Sequence, residues 1–144
     1  MRNAVVVSGA RTPVGRFGGA FKDISAPDLG AAAIKAAIER AGISPDMVDE
    51  VVIGNAIQAA EAGYAARLAS IRSGIPHETP TMAINRQCSS GLEAINVGAQ
   101  LIKTGEAEIV VAGGTENMSQ VPFLVNYQAR FDGLRMGDST LRDG

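Results

Sequence analysis

Apolar residues along this chain keep two alternating rhythms: short unbroken runs, and longer stripes that repeat every three to four positions. Ala4-Val5-Val6-Val7 is an unbroken, largely β-branched run ending at Ser8-Gly9, which predicts a strand buried on both faces. Val51-Val52-Ile53 predicts a second strand, ending in Gly54-Asn55; Thr81 to Ile84 predicts a third, and Ile109 to Ala112 a fourth, ending in Gly113-Gly114-Thr115-Glu116-Asn117-Met118. Between them lie three helical stripes. Ser25-Ala26-Pro27-Asp28 supplies a cap and an early proline for a helix to about Arg40, with Gly42 as its stop. Leu29, Ala33, Ala36, Ala37 and Ile38 form its apolar stripe, and Lys35, Glu39 and Arg40 face water. Gly63 to Ser73 predicts a helix with Ala66, Leu68, Ala69 and Ile71 inward and Arg67 and Arg72 outward, ended by Gly74 and Pro76. Ser89 to Lys103, stopped at Gly105, is the last. This alternation of strands and helices predicts an α/β fold, a largely parallel sheet with helices on both faces.

Two stretches depart from that regularity. In the Ser89–Lys103 helix the polar positions Glu93, Asn96, Gln100 and Lys103 occupy one narrow stripe, while Leu92, Ala94, Ile95, Val97, Gly98, Ala99, Leu101 and Ile102 cover the rest. A helix apolar on most sides is expected to be buried on most sides, and one sheet covers only one of them. A second subunit or a further part of the protein is therefore expected against the other. From Gln120 onward no period is sustained, and such irregular residues at the end of a domain predict a segment that packs on something else.

The 144 residues are the size of one domain, 46% hydrophobic and 19% charged, with a formal net charge of −2. That balance offers no basic field for nucleic acid. No apolar run is long enough to span a bilayer and Met1-Arg2-Asn3 lacks a signal-peptide layout, so a cytoplasmic protein without membrane contact is expected. One cysteine and one histidine exclude an internal disulfide and a His/Cys metal cluster, so no metal is expected. Seventeen glycines with few aromatics fit close helix-on-sheet packing.

The lone cysteine draws the chemistry together. Cys88 lies in Asn85-Arg86-Gln87-Cys88-Ser89-Ser90-Gly91-Leu92, on the turn between the third predicted strand and the Ser89–Lys103 helix. A helix N-terminus presents unpaired N–H groups and the positive end of the dipole, a setting that favours a thiolate, the reactive form of cysteine. Ser89, Ser90 and Gly91 leave room for a substrate, and the Cys88 N–H is available as an oxyanion donor. Against this stands the commoner fate of a lone cysteine, as a small buried hydrophobe. Reactive groups in parallel sheets gather at the carboxyl ends of the strands, and both Cys88 and Gly113–Met118 fall there. The glycine-rich Arg11–Gly19 loop has neither the GxGxxG spacing nor the GK[ST] ending of a phosphate cradle, and reads as a loop folded over the domain.

Asn85 to Ile95 resembles the acyl-enzyme signature of the thiolases. The likeness continues through Arg11-Thr12-Pro13 with Gly15 and Phe17, the Gly63…Arg67 stretch, Gly113 to Ser119, and Arg130 to Met136, in order along nearly the whole chain. The resemblance implies half of a five-layered αβαβα architecture: a thiolase-like N-terminal α/β domain over 1–119 and the start of a loop domain over 120–144. It implies an acyltransferase in which Cys88 takes an acyl group from a coenzyme A thioester, for thiolysis of a 3-oxoacyl-CoA or Claisen condensation of acetyl-CoA. Coenzyme A thioesters are then substrates, with no tightly bound cofactor, and a homodimer or homotetramer is expected. Thiolases also use a histidine and a second cysteine on C-terminal motifs that this sequence lacks, so by itself the chain is expected not to turn over. His77 does not replace that histidine: it precedes the third strand while Cys88 follows it, and about six residues at ~3.3 Å each separate them by roughly 20 Å. Arg130 and Arg135 read as solvated loop arginines rather than phosphate ligands, which leaves the coenzyme A contacts unassigned. Two other readings remain open: a related condensing enzyme of the ketoacyl synthase type, and a non-catalytic α/β assembly module in which Cys88 only packs.

Overall fold

Helix α1, Ala26–Ala41, begins where Ser25 accepts the Asp28 N–H on its side chain and ends at Gly42, whose φ of 68° closes the last turn. A computed structural model describes residues 2–134 and 140–143 of the chain. After α1 come β1 (Glu50–Gly54), α2 (Ala65–Arg72), β2 (Thr81–Ile84), α3 (Ser90–Thr104) and β3 (Val110–Gly114). Short 3-10 turns at Pro45–Met47 and Ala60–Tyr64 lead into β1 and α2.

The three strands form one parallel sheet in the order β2-β1-β3, with Gly54 level with both Ile84 and Gly114. Because side chains alternate along a strand, the central strand feeds two layers. Val51 and Ile53 join Ile34 and Ile38 of α1, Ala66 and Ala69 of α2, and Val48 and Ile75 in a buried cluster. Val52, level with Ala112, faces the opposite layer, where α3 lies across the sheet. Val51 and Val52 are both completely buried, and each contributes about 1.5–3 kcal/mol by leaving water. Gly98 lets α3 approach closely: a Cβ there would sit 3.1 Å from Val110 Cγ1 and 3.3 Å from the Ala112 Cβ.

Asp49 fastens the entry of this sheet. One of its carboxylate oxygens accepts the N–H groups of Glu108 at 2.8 Å and Ile109 at 2.9 Å, and its own N–H donates to the Ile109 carbonyl. The Ile109 N–H, followed by that of Glu108, holds the Asp49 carboxyl below its ordinary pKa.

Several expectations are corrected. Ala4–Val7 is not a strand: Val5, Val6 and Val7 are 73%, 86% and 75% exposed, and the sheet among the described residues has three strands rather than four. A β-branched run favours extended backbone, but a strand also requires a partner for its N–H and C=O groups. This segment is held instead by side-chain bonds, from Ser8 to the Ala37 carbonyl, from Arg40 to the Gly9 carbonyl, and from Arg2 to Glu108. In α2 the buried residues are Ala65, Ala66, Ala69 and Ser70, one face at spacings of three to four, and Ile71, 45% exposed, lies off that face. In α3 only Ser90, Ala94 and Gly98 are buried, and Leu92 and Ile95 face out. The sheet covers one side of α3 and the apolar opposite side stays open.

Beyond Gln120, Phe123–Leu124 (β4) pairs antiparallel with Arg142–Asp143 (β5), and a single helical turn, α4, spans Ala129–Asp132. Arg130 is exposed; Arg135 and Met136 lie outside the described residues. No helix among the described residues is long and apolar enough to cross a membrane.

Candidate active site

The carboxyl ends of all three strands meet at one level. The Asn55 N–H donates to the Ile84 carbonyl and the Thr115 N–H to the Gly54 carbonyl, both at 3.0 Å, so the chain leaves β1 and β3 still bonded to its neighbours. On this floor rests the start of α3. A Cβ on Gly54 would fall 2.3 Å from the Ser90 carbonyl carbon and 2.5 Å from Gly91 N, and one on Gly114 would fall 3.1 Å from Gly91 Cα. Only residues without side chains at 54 and 114 allow a helix to begin so close to the sheet.

Between β2 and α3 runs a turn of five residues with Cys88 near its end. The Ser89 N–H bonds the Arg86 carbonyl at 3.1 Å and the Ser90 N–H bonds the Gln87 carbonyl at 3.0 Å, so two overlapping turns enclose Cys88. Gln87 adopts φ +53°, one of two non-glycine residues in the chain's described part with positive φ. Cys88 is a free, exposed thiol, not a packed hydrophobe. Ser89, the N-cap of α3, makes no capping bond with its side chain. Nor does the Cys88 N–H donate to any backbone carbonyl among the described residues. The thiol thus precedes the positive end of a helix of 15 residues, with the N–H groups of Ser89 and Ser90 taken up by the turn. Arg86 lies close by, 3.1 Å from Glu93 on the first turn of α3.

Behind the turn, Glu116 joins two strand exits. Its carboxylate accepts Asn55 Nδ2 at 2.9 Å, Ala56 N at 2.7 Å and Ile57 N at 3.3 Å. Asn55, 2% exposed, also donates to the Thr115 carbonyl at 3.0 Å, and its own Oδ1 has no protein partner among the described residues. Glu116 borders two clefts. One, about 180 Å³, lies against Ser25–Pro27 and Ala59–Ala62; the other, about 550 Å³, lies under the Ala10–Phe17 loop. Cys88 lines neither cleft and opens to solvent. The Arg11–Gly19 loop does fold over the domain: Gly18 N donates to Ser119 Oγ, and Asn117 Nδ2 reaches the carbonyls of Phe21 and Ile24.

His77 is exposed, with its imidazole 3.0 Å from Glu78 and its carbonyl bonded by Arg67. It lies in the loop before β2 while Cys88 follows that strand, as the spacing required. Three residues received no role from sequence reasoning yet shape the site, Asn55, Asn85 and Glu116, and Ser90, read there only as a small neighbour of the cysteine, bonds the turn as well. The signal for the pair Asn55 and Glu116 was present in Gly54-Asn55 and Gly114-Thr115-Glu116, each following a strand end, but only the register Gly54 to Gly114 brings them together.

Comparison with known proteins places this geometry. Residues 4–144 match the family described as thiolase, N-terminal domain. The chain is 50% identical over 143 residues to an acetyl-CoA acetyltransferase of Cupriavidus necator, and the match covers 99% of this chain and 36% of the relative. A probable acetyl-CoA acyltransferase of Staphylococcus aureus is 47% identical over the same length and coverage. The crystal structure of the Bacillus anthracis acetyl-CoA acetyltransferase superposes with a TM-score of 0.91 at 38% identity, over 99% of this chain and 36% of that one. The chain therefore spans about a third of the length of these relatives. In sequence and in fold, the chain belongs to the thiolase family and corresponds to its N-terminal domain.

Proposed function

We propose that Cys88 accepts an acyl group from a coenzyme A thioester, in a protein that performs thiolysis of 3-oxoacyl-CoA or the reverse Claisen condensation of acetyl-CoA. The observation that carries the reading is the placement of an exposed thiol at the mouth of α3, above the carboxyl ends of three parallel strands. In thiolysis the sulfur attacks the 3-oxo carbonyl of the 3-oxoacyl-CoA, the tetrahedral oxyanion collapses with cleavage of the bond between C2 and C3, and acetyl-CoA leaves as its α-carbon takes up a proton; in condensation the sulfur attacks the thioester carbonyl of acetyl-CoA and coenzyme A leaves as its thiol. The latter exchange balances as Cys88 thiol plus acyl-CoA giving acyl-Cys88 plus coenzyme A thiol. A thioester product stays activated, so the acyl group passes next either to a second coenzyme A thiol or to the α-carbon of acetyl-CoA. The Cys88 N–H, which has no backbone partner among the described residues, supports a reading of it as an oxyanion donor, an interaction of the kind worth several kcal/mol.

Residues 120–144 are read as the beginning of a loop domain that follows the α/β domain of 1–119. The uncovered apolar face of α3 supports a homodimer or homotetramer, and a cytoplasmic site of action fits the composition. The test uses the protein as encoded. Incubation with acetyl-CoA, followed by digestion and mass spectrometry, is expected to find one acetyl group on the peptide carrying Cys88 and none after Cys88→Ala. A Cys88→Ala protein that still exchanges acyl groups at the parent rate overturns the proposal.

A further inference from the structure

The side chains from Asn85 to Ser89 are all exposed in this chain, so packing within it does not fix the turn that presents Cys88. Hydrogen bonds must do so. They converge on the two peptides that flank one α-carbon: Gln87 N–H donates to Asn85 Oδ1 at 3.0 Å, and the Gln87 carbonyl accepts Ser90 Oγ at 2.6 Å and Ser90 N at 3.0 Å. Gln87 is also the residue held at φ +53°, a conformation that an L residue with a Cβ adopts at a cost. Both clamping side chains are anchored in turn. Asn85 Nδ2 donates to the Ala56 carbonyl at 2.8 Å, and the peptides on either side of Ala56 donate to Glu116, at 2.7 Å from Ala56 N and 3.3 Å from Ile57 N. Ser90, 4% exposed, is wedged against Gly54 and accepts the Arg86 N–H at 2.9 Å.

We infer that Asn85 and Ser90 are positioning residues, which grip the Gln87 backbone on both sides of its α-carbon, hold that residue in the left-handed region, and so aim the Cys88 sulfur at an incoming acyl carbonyl. The inference rests on Cys88 being the acyl acceptor. Neither side chain touches the reacting atoms through any bond described. Each acts through Gln87, and the rigid end of the chain of bonds is Glu116, fixed between the exits of β1 and β3. Released from the clamp, Gln87 relaxes toward negative φ and swings the following residue; a displacement near 1 Å at a nucleophile lowers rate by about 100-fold.

The test measures acylation of Cys88 by acetyl-CoA in the protein as encoded, as kcat and KM for the acyl exchange. Asn85→Ala is expected to lower kcat by about 100-fold with KM little changed, since the substrate's binding contacts are untouched. Ser90→Ala, which fills the same buried space and suits a helix start, is expected to act in the same direction. Asn85→Asp keeps the oxygen that accepts the Gln87 N–H and is expected to retain more activity than alanine. The decisive variant is Asn85→Ala with Gln87→Gly. Glycine enters the left-handed region freely, so this pair is expected to recover about tenfold of the lost rate. Gln87→Val leaves both clamps in place but resists positive φ, and is expected to be as slow as Asn85→Ala. Unchanged kcat in Asn85→Ala and Ser90→Ala overturns the inference, and so does a slow Asn85→Ala that Gln87→Gly fails to restore. A parent protein that forms no acyl-Cys88 defeats the proposed function instead, before any variant is compared.

Discussion

Replacing Gly54 by alanine tests whether the sheet sets the height of the helix that carries Cys88. The added Cβ would lie 2.3 Å from the Ser90 carbonyl carbon, 2.5 Å from the Ser90 oxygen and 2.5 Å from Gly91 N, all backbone atoms. Carbon atoms in contact prefer about 3.5–4.0 Å, so the start of α3 has to lift by more than about 1 Å or β1 has to sink. β1 is the central strand, bonded on both sides, and Val51 and Val52 are fully buried, so the helix start is the part that yields. Overpacking of this kind costs about 1–3 kcal/mol. Without a clash the same change would be mildly stabilising, by about 0.4–1 kcal/mol, because alanine narrows the unfolded ensemble, so the sign of the change in stability is itself informative. A lift of about 1 Å at the helix start predicts a loss of about 100-fold in Cys88 acylation, measured by quenched-flow acetylation alongside thermal unfolding. Gly98→Ala is the matched control further along α3. Its Cβ would meet only the side-chain atoms Val110 Cγ1 at 3.1 Å and Ala112 Cβ at 3.3 Å. That strain is offset by a helix-propensity gain of about 0.8–1.0 kcal/mol, and acylation should be unchanged. A Gly54→Ala protein with parental stability and parental acylation would refute the account of the strand ends as a floor for the nucleophile.

Two further substitutions probe the bonds around that floor. Glu116→Gln puts an amide NH₂ where a carboxylate oxygen now accepts either Asn55 or the N–H groups of Ala56 and Ile57; leaving a largely buried donor unpaired should cost about 1–3 kcal/mol, read from urea denaturation. Asp49 has a folded pKa depressed by the Ile109 and Glu108 N–H groups, so its stabilisation is complete above the unfolded value of about 3.9 and disappears as pH falls through the lower folded value. Denaturation midpoints measured down to pH 2 should therefore fall less steeply for Asp49→Asn than for the parent, and equal slopes would show that this carboxylate is not linked to folding.

The sequence alone determined the local elements with good fidelity, because their causes are local. Ser25, Pro27 and Gly42 bound α1, Gly105 closes α3 with φ +82°, and Thr81–Ile84 is a strand over its full expected length. The position of Cys88 at a helix entrance was likewise legible, since a strand-like run, a short polar turn and a helical stripe follow in order. Ala4–Val7 shows where local causes stop: its residues prefer extended backbone, yet a strand is made by the neighbour that accepts its hydrogen bonds. Equally hidden was the support behind the thiol. Asn55 and Glu116 stand 61 residues apart and meet only because Gly54 and Gly114 are level in adjacent parallel strands. The positive φ of Gln87 gave no signal either, for glutamine has no preference for it; side chains from both flanks impose it once the strand end and the helix start are fixed. Residue type singled out the proposed nucleophile, and tertiary register decided what surrounds it.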